Sequence, residues 1–379
     1  MQREMMGETM DIVRAVVEVV ARNPNLSAAV AALLVALILG GLWWHLRPSV
    51  ADRFVDALAD RERVAVLMHP NPDPDAMACA MGVAALADSV NTDAVVQYPG
   101  EIRHPENRAF ETVLDCGFDR IEKAEDLATG DIVLVDHNEP RGFDGAEVVE
   151  PYAIVDHHPG NAEGSAFTDV RTDRGSCASV LTEYIYDRGW SNGADGRDGR
   201  SLTPSLATAL LYGIQSDTTS FSRSCTPAEF DAAAYLFPAA DSDSLDRIAN
   251  PQIDNETLDV KARAITSRKL DGSFLLSHVG SLSNLDALPV AAEELVRLEG
   301  VTATVVTGEH EGTLHVSGRS RDDRVHMGKS ISKALKPIPE ASAGGHARMG
   351  GGQATLSEGD GTETGELHDR FFAAMNGRI

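Results

Sequence analysis

A chain of 379 residues is long enough for two packed domains and an appendage, because a single hydrophobic core rarely grows past about 250–300 residues. A hydrophobic content of 43% with only 5% aromatic residues excludes a disordered chain and suits an α/β protein built on Ala and Val. A net charge of -25 excludes a binder of duplex DNA, which would need Lys and Arg to neutralise phosphates.

The six lysines are far outnumbered by 27 arginines, and acidic residues are spread throughout, as in Asp241-Ser242-Asp243 and Asp322-Asp323. That pattern matches a halophilic protein adapted to high internal salt, where screening also shortens charge repulsion, with an ordinary acidic cytosolic protein as the plainer alternative. Cys79, Cys116, Cys177 and Cys225 form no Cys-x-x-Cys pair. Neither a zinc site nor a disulfide framework is indicated, and a reducing compartment fits best.

Between Arg22 and Arg47 there is no Asp, Glu, Lys or Arg. Residues 26–46 predict a transmembrane helix, since about 21 residues at 1.5 Å rise span the roughly 30 Å hydrocarbon core, and Trp43 and Trp44 suit the interface. Residues 9–21 carry the apolar spacing of a short interfacial helix. The expectation is a membrane anchor over 1–48 and a single-pass placement in the cell membrane.

Residues 64–68 form a continuous apolar run, as expected for a strand buried on both faces of a parallel sheet. His69, Asp73 and Asp75 follow it, and then a helix of small residues. The loop therefore lies at a strand's carboxyl end, where such folds place ligands. The pattern recurs at 131–135, ending in Asp136-His137, and at 152–155, ending in Asp156-His157-His158. A further polar cluster at 213–221, with Asp217, follows a helical stretch over 205–212 and can reach the same edge. Taken singly, each piece reads equally as a proline turn or a helix cap. Together they suit divalent ions, Mn²⁺ first and Mg²⁺ or Co²⁺ as alternatives, because crowded carboxylates repel one another without cations. Two such ions would lower the pKa of a bridging water and stabilise attacking and leaving oxygens at phosphorus.

These residues resemble the motifs of the DHH phosphoesterase superfamily: His69-x-x-x-Asp73-x-Asp75, the strand-end Asp136, Asp156-His157-His158, and Asp217 in a Gly-Ile-x-x-Asp-Thr context. The resemblance implies that His69, Asp73 and Asp136 hold one metal, that Asp75, His157 and Asp217 hold the other, and that Asp136 bridges them. Asp136, His157 and His158 are then the catalytic set, with His158 facing the substrate phosphate. Asp156 is expected to orient the neighbouring imidazoles. His137 is a further candidate phosphate contact, with a solvent-facing imidazole as the plainer alternative.

A linker with helical pieces is expected over 239–272, then a smaller α/β unit with strands at 273–279, 301–307 and 312–319 and a helix at 291–298. Gly344-Gly345-His346-Ala347-Arg348 opens a glycine-rich stretch whose backbone N–H groups could approach an anion, with His346 and Arg348 supplying charge. This stretch resembles the Gly-Gly-His motif of the DHH-associated C-terminal domain, with Met349 where the family generally has Ala. Arg319-Ser320 resembles the substrate-binding Arg-Ser of that domain. The implied substrate-binding set is His158, Arg319, Ser320, Gly344, Gly345, His346 and Arg348.

The fold expected is thus α/β: an N-terminal transmembrane helix, a parallel-sheet DHH-type domain over 52–238, and a DHH-associated domain over 273–379, with the active site in the cleft between them. The function implied is two-metal, manganese-dependent hydrolysis by attack of metal-bound hydroxide on phosphorus. The substrate is a small nucleotide: a short oligoribonucleotide, a cyclic dinucleotide such as cyclic di-AMP, or 3',5'-bisphosphorylated adenosine. The catalytic part is expected in the cytoplasm, where nucleotides and divalent metal are found, and homodimerisation is common in the family. An inorganic pyrophosphatase would share the first-domain motifs but not the Gly-Gly-His segment. A RecJ-like exonuclease would add a basic groove that this chain lacks. A noncatalytic nucleotide sensor is disfavoured by the intact set of six ligands.

Overall fold

The computed structural model of the protein describes residues 25, 28, 29, 32, 47–193, 200–355 and 364–379. The transmembrane helix expected over 26–46 and the interfacial helix over 9–21 fall almost entirely outside them. Among the described residues no helix is long and apolar enough to cross a membrane. The longest, Pro74–Asp88 with 15 residues, reaches about 22 Å at 1.5 Å per residue, short of a roughly 30 Å hydrocarbon core. This corrects the single-pass placement in the cell membrane, while the anchor expected over 1–48 lies almost entirely outside the described residues, which form an architecture of two sheets.

The first sheet contains β1 (Arg63–Leu67), β2 (Asp93–Pro99), β3 (Asp119–Ile121), β4 (Ile132–Val135), β5 (Ala153–Asp156) and β6 (Phe167–Val170). Their order is β3-β2-β1-β4-β5-β6, and every pairing is parallel. From Val64 to Leu67 and from Val133 to Val135 each residue is wholly buried, which is why both strands read as unbroken apolar runs. The strand order reverses between β1 and β4. Adjacent loops diverge there and open a crevice at the carboxyl ends of the strands.

Helices α1 (Val50–Ala59), α2 (Pro74–Asp88), α3 (Pro105–Val113), α4 (Cys177–Asp187), α5 (Pro204–Asp217) and α6 (Pro227–Leu236) accompany this sheet. Helix α2 is built of Ala, Met, Cys and Gly and is buried along nearly its whole length, so it packs closely against α4 and α5. Gly213 of α5 marks the tightest point: a Cβ there would lie 2.9 Å from that of Ala78 and 3.1 Å from that of Ala178.

The expected linker is two helices, α7 (Ser242–Ala249) and α8 (Asn255–Thr266), followed by the edge strand β7 (Lys269–Asp271). The second sheet adds β8 (Phe274–Ser281), β9 (Ala303–His310), β10 (Thr313–Ser320), β11 (Ser342–Gly345) and β12 (Met349–Thr355), in the order β11-β12-β10-β9-β8-β7. Helices α9 (Ala287–Leu295), α10 (Met327–Leu335) and α11 (Thr364–Met375) complete the unit. Only β8 and β9 pair in parallel.

The glycine-rich stretch is a hairpin rather than an open loop. Strands β11 and β12 pair antiparallel from Gly345–Gly350 to Ser342–Gln353, and the turn spans His346 to Arg348. The glycines let this hairpin touch the start of α10. A Cβ on Gly328 would collide with the Gly345 carbonyl, and Met327 and Gly328 donate their N–H groups to the carbonyls of Ala347 and His346 at 2.9 and 3.1 Å.

Among the described residues two ion pairs join the units. Arg108 of α3 lies 3.0 Å from Asp286 beside α9, and His104 at the start of α3 lies 3.5 Å from Glu293 of α9.

Candidate metal centre

The loop after β1 brings His69, Asp73 and Asp75 to the crevice. The His69 Nδ1–H donates to the Pro70 carbonyl at 3.0 Å, which turns Nε2 toward Asp73 and Asp136, each 3.6 Å away. Asp73 serves twice. Its Oδ1 caps α2 by accepting from the Ala76 N–H at 3.1 Å, while Oδ2 faces His69. Asp75, in the first turn of the helix and wholly buried, accepts the N–H groups of Cys177 and Ala178 at 2.7 and 2.9 Å. These are the first two residues of α4, so the positive end of that helix holds a buried carboxylate.

Asp136 stands at the end of β4 with φ +60°, a left-handed conformation uncommon for a residue other than glycine. That turn aims its side chain back across the sheet edge. Oδ1 lies 3.3 Å from His157 Nε2 and Oδ2 3.6 Å from His69 Nε2, so one carboxylate faces both imidazoles. His157 donates its Nδ1–H to the Arg174 carbonyl at 3.3 Å, and its Nε2 also lies 3.3 Å from Asp217 and 4.0 Å from Asp75. Asp217 is the last residue of α5 rather than a loop residue.

Asp156 is wholly buried and takes the orienting place. It accepts the N–H groups of His157 and His158 at 2.7 and 3.1 Å, the Nδ1–H of His158 at 3.0 Å, and the amide of Asn138 at 2.6 Å. The His158 ring is half exposed, and its Nε2 makes none of these bonds. His137 is not solvent-facing. It is buried, bonded through Nδ1 to the Val135 carbonyl at 2.9 Å, and burial lowers its pKa to about 4.

The ionisation of this cluster is frustrated. Burial pushes the Asp75 carboxyl well up, aided by the charges of Asp136 and Asp217, and burial raises Asp217 to about 6. Burial also opposes charge on Asp136, but His157 and His69 hold its carboxyl below the usual range. Although burial disfavours imidazolium, facing carboxylates raise His69 to about 11 and His157 to about 12. Asp136 Oδ1 and His157 Nε2 are both buried without a hydrogen-bond partner, although they lie 3.3 Å apart. Orphaned acceptors and crowded carboxylates are what a divalent cation satisfies. His69, Asp73 and Asp136 bring one ligand atom each within 4.8 Å of one another, and so do Asp75, His157 and Asp217, and Asp136, His157 and His158.

The residues named for the second unit are more dispersed. Arg319 donates through Nε and Nη2 to Glu293 at 3.0 and 2.8 Å. It lines a cleft of about 410 Å³ together with His104, Asn107, His315 and Ser317. Ser320 is buried and donates to the Asp322 carbonyl at 2.7 Å. Gly344 and Gly345 lie in β11, His346 is exposed at the hairpin turn, and Arg348 is paired with Asp323 at 2.9 Å.

Sequence reasoning missed Asn138, the α4 N-terminus and Glu229. The signal for Asn138 was available, since it extends the strand-end run Asp136-His137. Glu229, in α6 and wholly buried, accepts from Gly175 N–H, Ser179 Oγ–H and both Thr226 donors at 2.7–2.9 Å. It thereby fixes the segment that supplies the Arg174 carbonyl and the Cys177 N–H.

The family model for the DHH family, N-terminal domain, matches residues 63–214, and that for the DHHA1 domain matches residues 271–375. An uncharacterized protein of Methanocaldococcus jannaschii, MJ1633, is 36% identical over 285 residues, which are 74% of this chain and 55% of that protein. The cyclic-di-AMP phosphodiesterase GdpP of Geobacillus thermodenitrificans is 24% identical over 320 residues, 76% of this chain and 46% of that one. The chain thus spans about half the length of these relatives. Among solved structures, an exopolyphosphatase-related protein from Bacteroides fragilis shares the fold with a TM-score of 0.64 at 14% identity, over 86% of this chain and 96% of that one. With both family models matched in order and the motif side chains gathered at one sheet edge, the chain belongs to the DHH phosphoesterase superfamily and carries a C-terminal DHHA1 domain.

Proposed function

We propose that this protein is a metal-dependent hydrolase that cleaves a phosphoester of a small nucleotide at two divalent ions, with Mn²⁺ the preferred metal. The observation that carries the reading is the paired ligand set. His69, Asp73 and Asp136 form one group, Asp75, His157 and Asp217 a second, and Asp136 reaches from the first to His157 of the second. Ions held there would lower the pKa of a water and neutralise charge at phosphorus. Around them the chain's own residues set the geometry. Asp136 would bridge the ions, and its left-handed backbone fixes the direction of its carboxylate. The carbonyls of Pro70 and Arg174 hold the tautomers of His69 and His157 with Nε2 inward. Asp156 holds His158 by its Nδ1, leaving Nε2 to meet a substrate phosphate.

The second unit supports a nucleotide rather than a bare polyphosphate. The relative named as a cyclic-di-AMP phosphodiesterase matches 76% of this chain. Relatives in Bacillus cereus and Bacillus mycoides named probable manganese-dependent inorganic pyrophosphatases, 28% and 27% identical, match 48% and 65%, so the preference for a nucleotide rests on the Gly344-Gly345-His346 segment and not on coverage. In this reading Arg319 and the turn at His346 contact the nucleotide across the cleft. The candidate substrates are a short oligoribonucleotide, a cyclic dinucleotide such as cyclic di-AMP, and 3',5'-bisphosphorylated adenosine.

The test is turnover by the full chain with Mn²⁺, given cyclic di-AMP, a diribonucleotide, adenosine 3',5'-bisphosphate or pyrophosphate, with Asp136→Ala as control. Cleavage of a nucleotide that the variant cannot perform is expected. Cleavage of pyrophosphate alone would overturn the assignment of the second unit.

A further inference from the structure

Helices α3 and α9 meet across the boundary between the two units through basic side chains on the first and acidic side chains on the second. His104 meets Glu293 at 3.5 Å and Arg108 meets Asp286 at 3.0 Å. Glu293 is used twice: Oε2 takes His104 of the first unit, while Oε1 accepts both Nε and Nη2 of Arg319 in its own unit, at 3.0 and 2.8 Å. The third guanidinium nitrogen is tied as well, donating to the Gly318 carbonyl at 3.1 Å and the Ser317 hydroxyl at 3.4 Å.

The segment around His104 is in turn fastened to the metal-bearing loop. Asn107 donates its amide to the Pro72 carbonyl at 2.9 Å, and the Asn71 side chain accepts the Glu101 N–H at 3.0 Å. Pro72 adjoins Asp73. A continuous path therefore runs from the loop of His69 and Asp73, through Asn107 and His104, to Glu293 and the guanidinium of Arg319.

We infer that Glu293 is a positioning residue that fixes Arg319, across the domain boundary, at a set distance from the metal loop, and so sets where the phosphate-bearing end of a nucleotide is held during cleavage. The inference rests on the reading of Arg319 as a substrate contact. Glu293 touches no reacting atom. Its effect is to keep a cation from relaxing into the open cleft, and a charged hydrogen-bonded pair of this kind holds its geometry far better than a neutral one.

The experiment measures KM and kcat for a diribonucleotide in wild type, Glu293→Gln, Arg319→Ala and the double variant. Affinity for adenosine 5'-monophosphate is measured by calorimetry alongside, so that binding is read without turnover. Glu293→Gln keeps the shape and loses the charge. It is expected to raise KM and the monophosphate Kd roughly tenfold, with kcat and Mn²⁺ affinity little changed and no further loss in the Arg319→Ala background. Glu293→Asp is expected to recover part of the affinity. Tighter binding in Glu293→Gln would show that the carboxylate competes with substrate, and an equal loss with Arg319 absent would show that it acts elsewhere. Either result overturns the inference while leaving the hydrolase reading intact. No turnover of any nucleotide by wild type, with monophosphate still bound through Arg319, would sink the hydrolase reading instead, and wild type failing to bind the monophosphate would overturn the inference.

Discussion

The Asp75 carboxylate is held by the backbone N–H of Cys177 at 2.7 Å, so a candidate metal ligand on α2 depends on where α4 begins. Cys177 is the first residue of that helix and follows an extended Ser176, a position that tolerates proline. Cys177→Pro would delete this donor, whereas Cys177→Ala would keep it. The proline variant is expected to lose roughly 10–100-fold in Mn²⁺ affinity, as when an outer partner of a ligand is removed. The alanine variant should stay near wild type, and equal losses in both would mean that the thiol matters and the N–H does not.

Asp136 faces both imidazoles, so its removal should be felt by both ligand groups. Asp136→Asn is expected to cost more than the roughly 100-fold that losing an outer-sphere partner costs. Metal stoichiometry by mass spectrometry under native conditions should fall from two ions to one or none. Two ions retained in the variant would contradict the bridging role.

Cation binding should also relieve the repulsion among Asp73, Asp75, Asp136 and Asp217. A ligand bound only by the folded chain, at a hundred times its Kd, adds about 2.7 kcal/mol of stability. Chelation is therefore expected to lower the melting temperature, and Mn²⁺ to restore it. An unchanged melting curve would argue against a filled site.

Gly213 lies where α2, α4 and α5 meet, and a Cβ there would stand 3.1 Å from Asp75 Oδ1. Alanine has the better helix propensity, by about 1 kcal/mol, but overpacking costs about 1–3 kcal/mol. Gly213→Ala should be net destabilising and should weaken metal binding as well, a combination that distinguishes pressure on Asp75 from a general loss of packing.

Glu229 supplies a pH dependence. Burial would raise its pKa, yet the hydroxyl and N–H of Thr226, the Gly175 N–H and the Ser179 hydroxyl together hold it below the usual range. A depressed carboxyl contributes stability above its unfolded pKa of about 4.3, and that contribution is lost as pH falls through the folded value. Glu229→Gln is expected to cost about 2–3 kcal/mol at neutral pH, with the gap to wild type closing below about pH 4. A gap constant with pH in denaturant titrations would refute the charge argument.

The parts of this molecule that were legible in its sequence are those whose signal is local. Strands β1, β4 and β5 are buried on both faces, so they appear as apolar runs, and their ends deliver His69, Asp136 and His157 within a few residues. The edge strand β3, with two exposed residues in three, and α3, which buries only Phe110, carry no such signal. Asn138 adjoins the strand-end run Asp136-His137, so its place at the site was legible while its bond to Asp156, 18 residues away, was not, and Glu229 bonds Gly175 from 54 residues away with no local signal at all. The hairpin of β11 and β12 was hidden for another reason: its glycines answer to the close approach of Gly328 in α10, which only tertiary packing reveals.

Asp217 ends α5 and is the last of the clustered carboxylates along the chain, after His69, Asp73, Asp75, Asp136 and His157 have already been laid down. During synthesis, five of these side chains leave the ribosome before the sixth exists. The second ligand group cannot close until α5 docks on α2. Under the proposed function, a product stalled or cut short before that helix lacks the sixth ligand and cannot complete the second group.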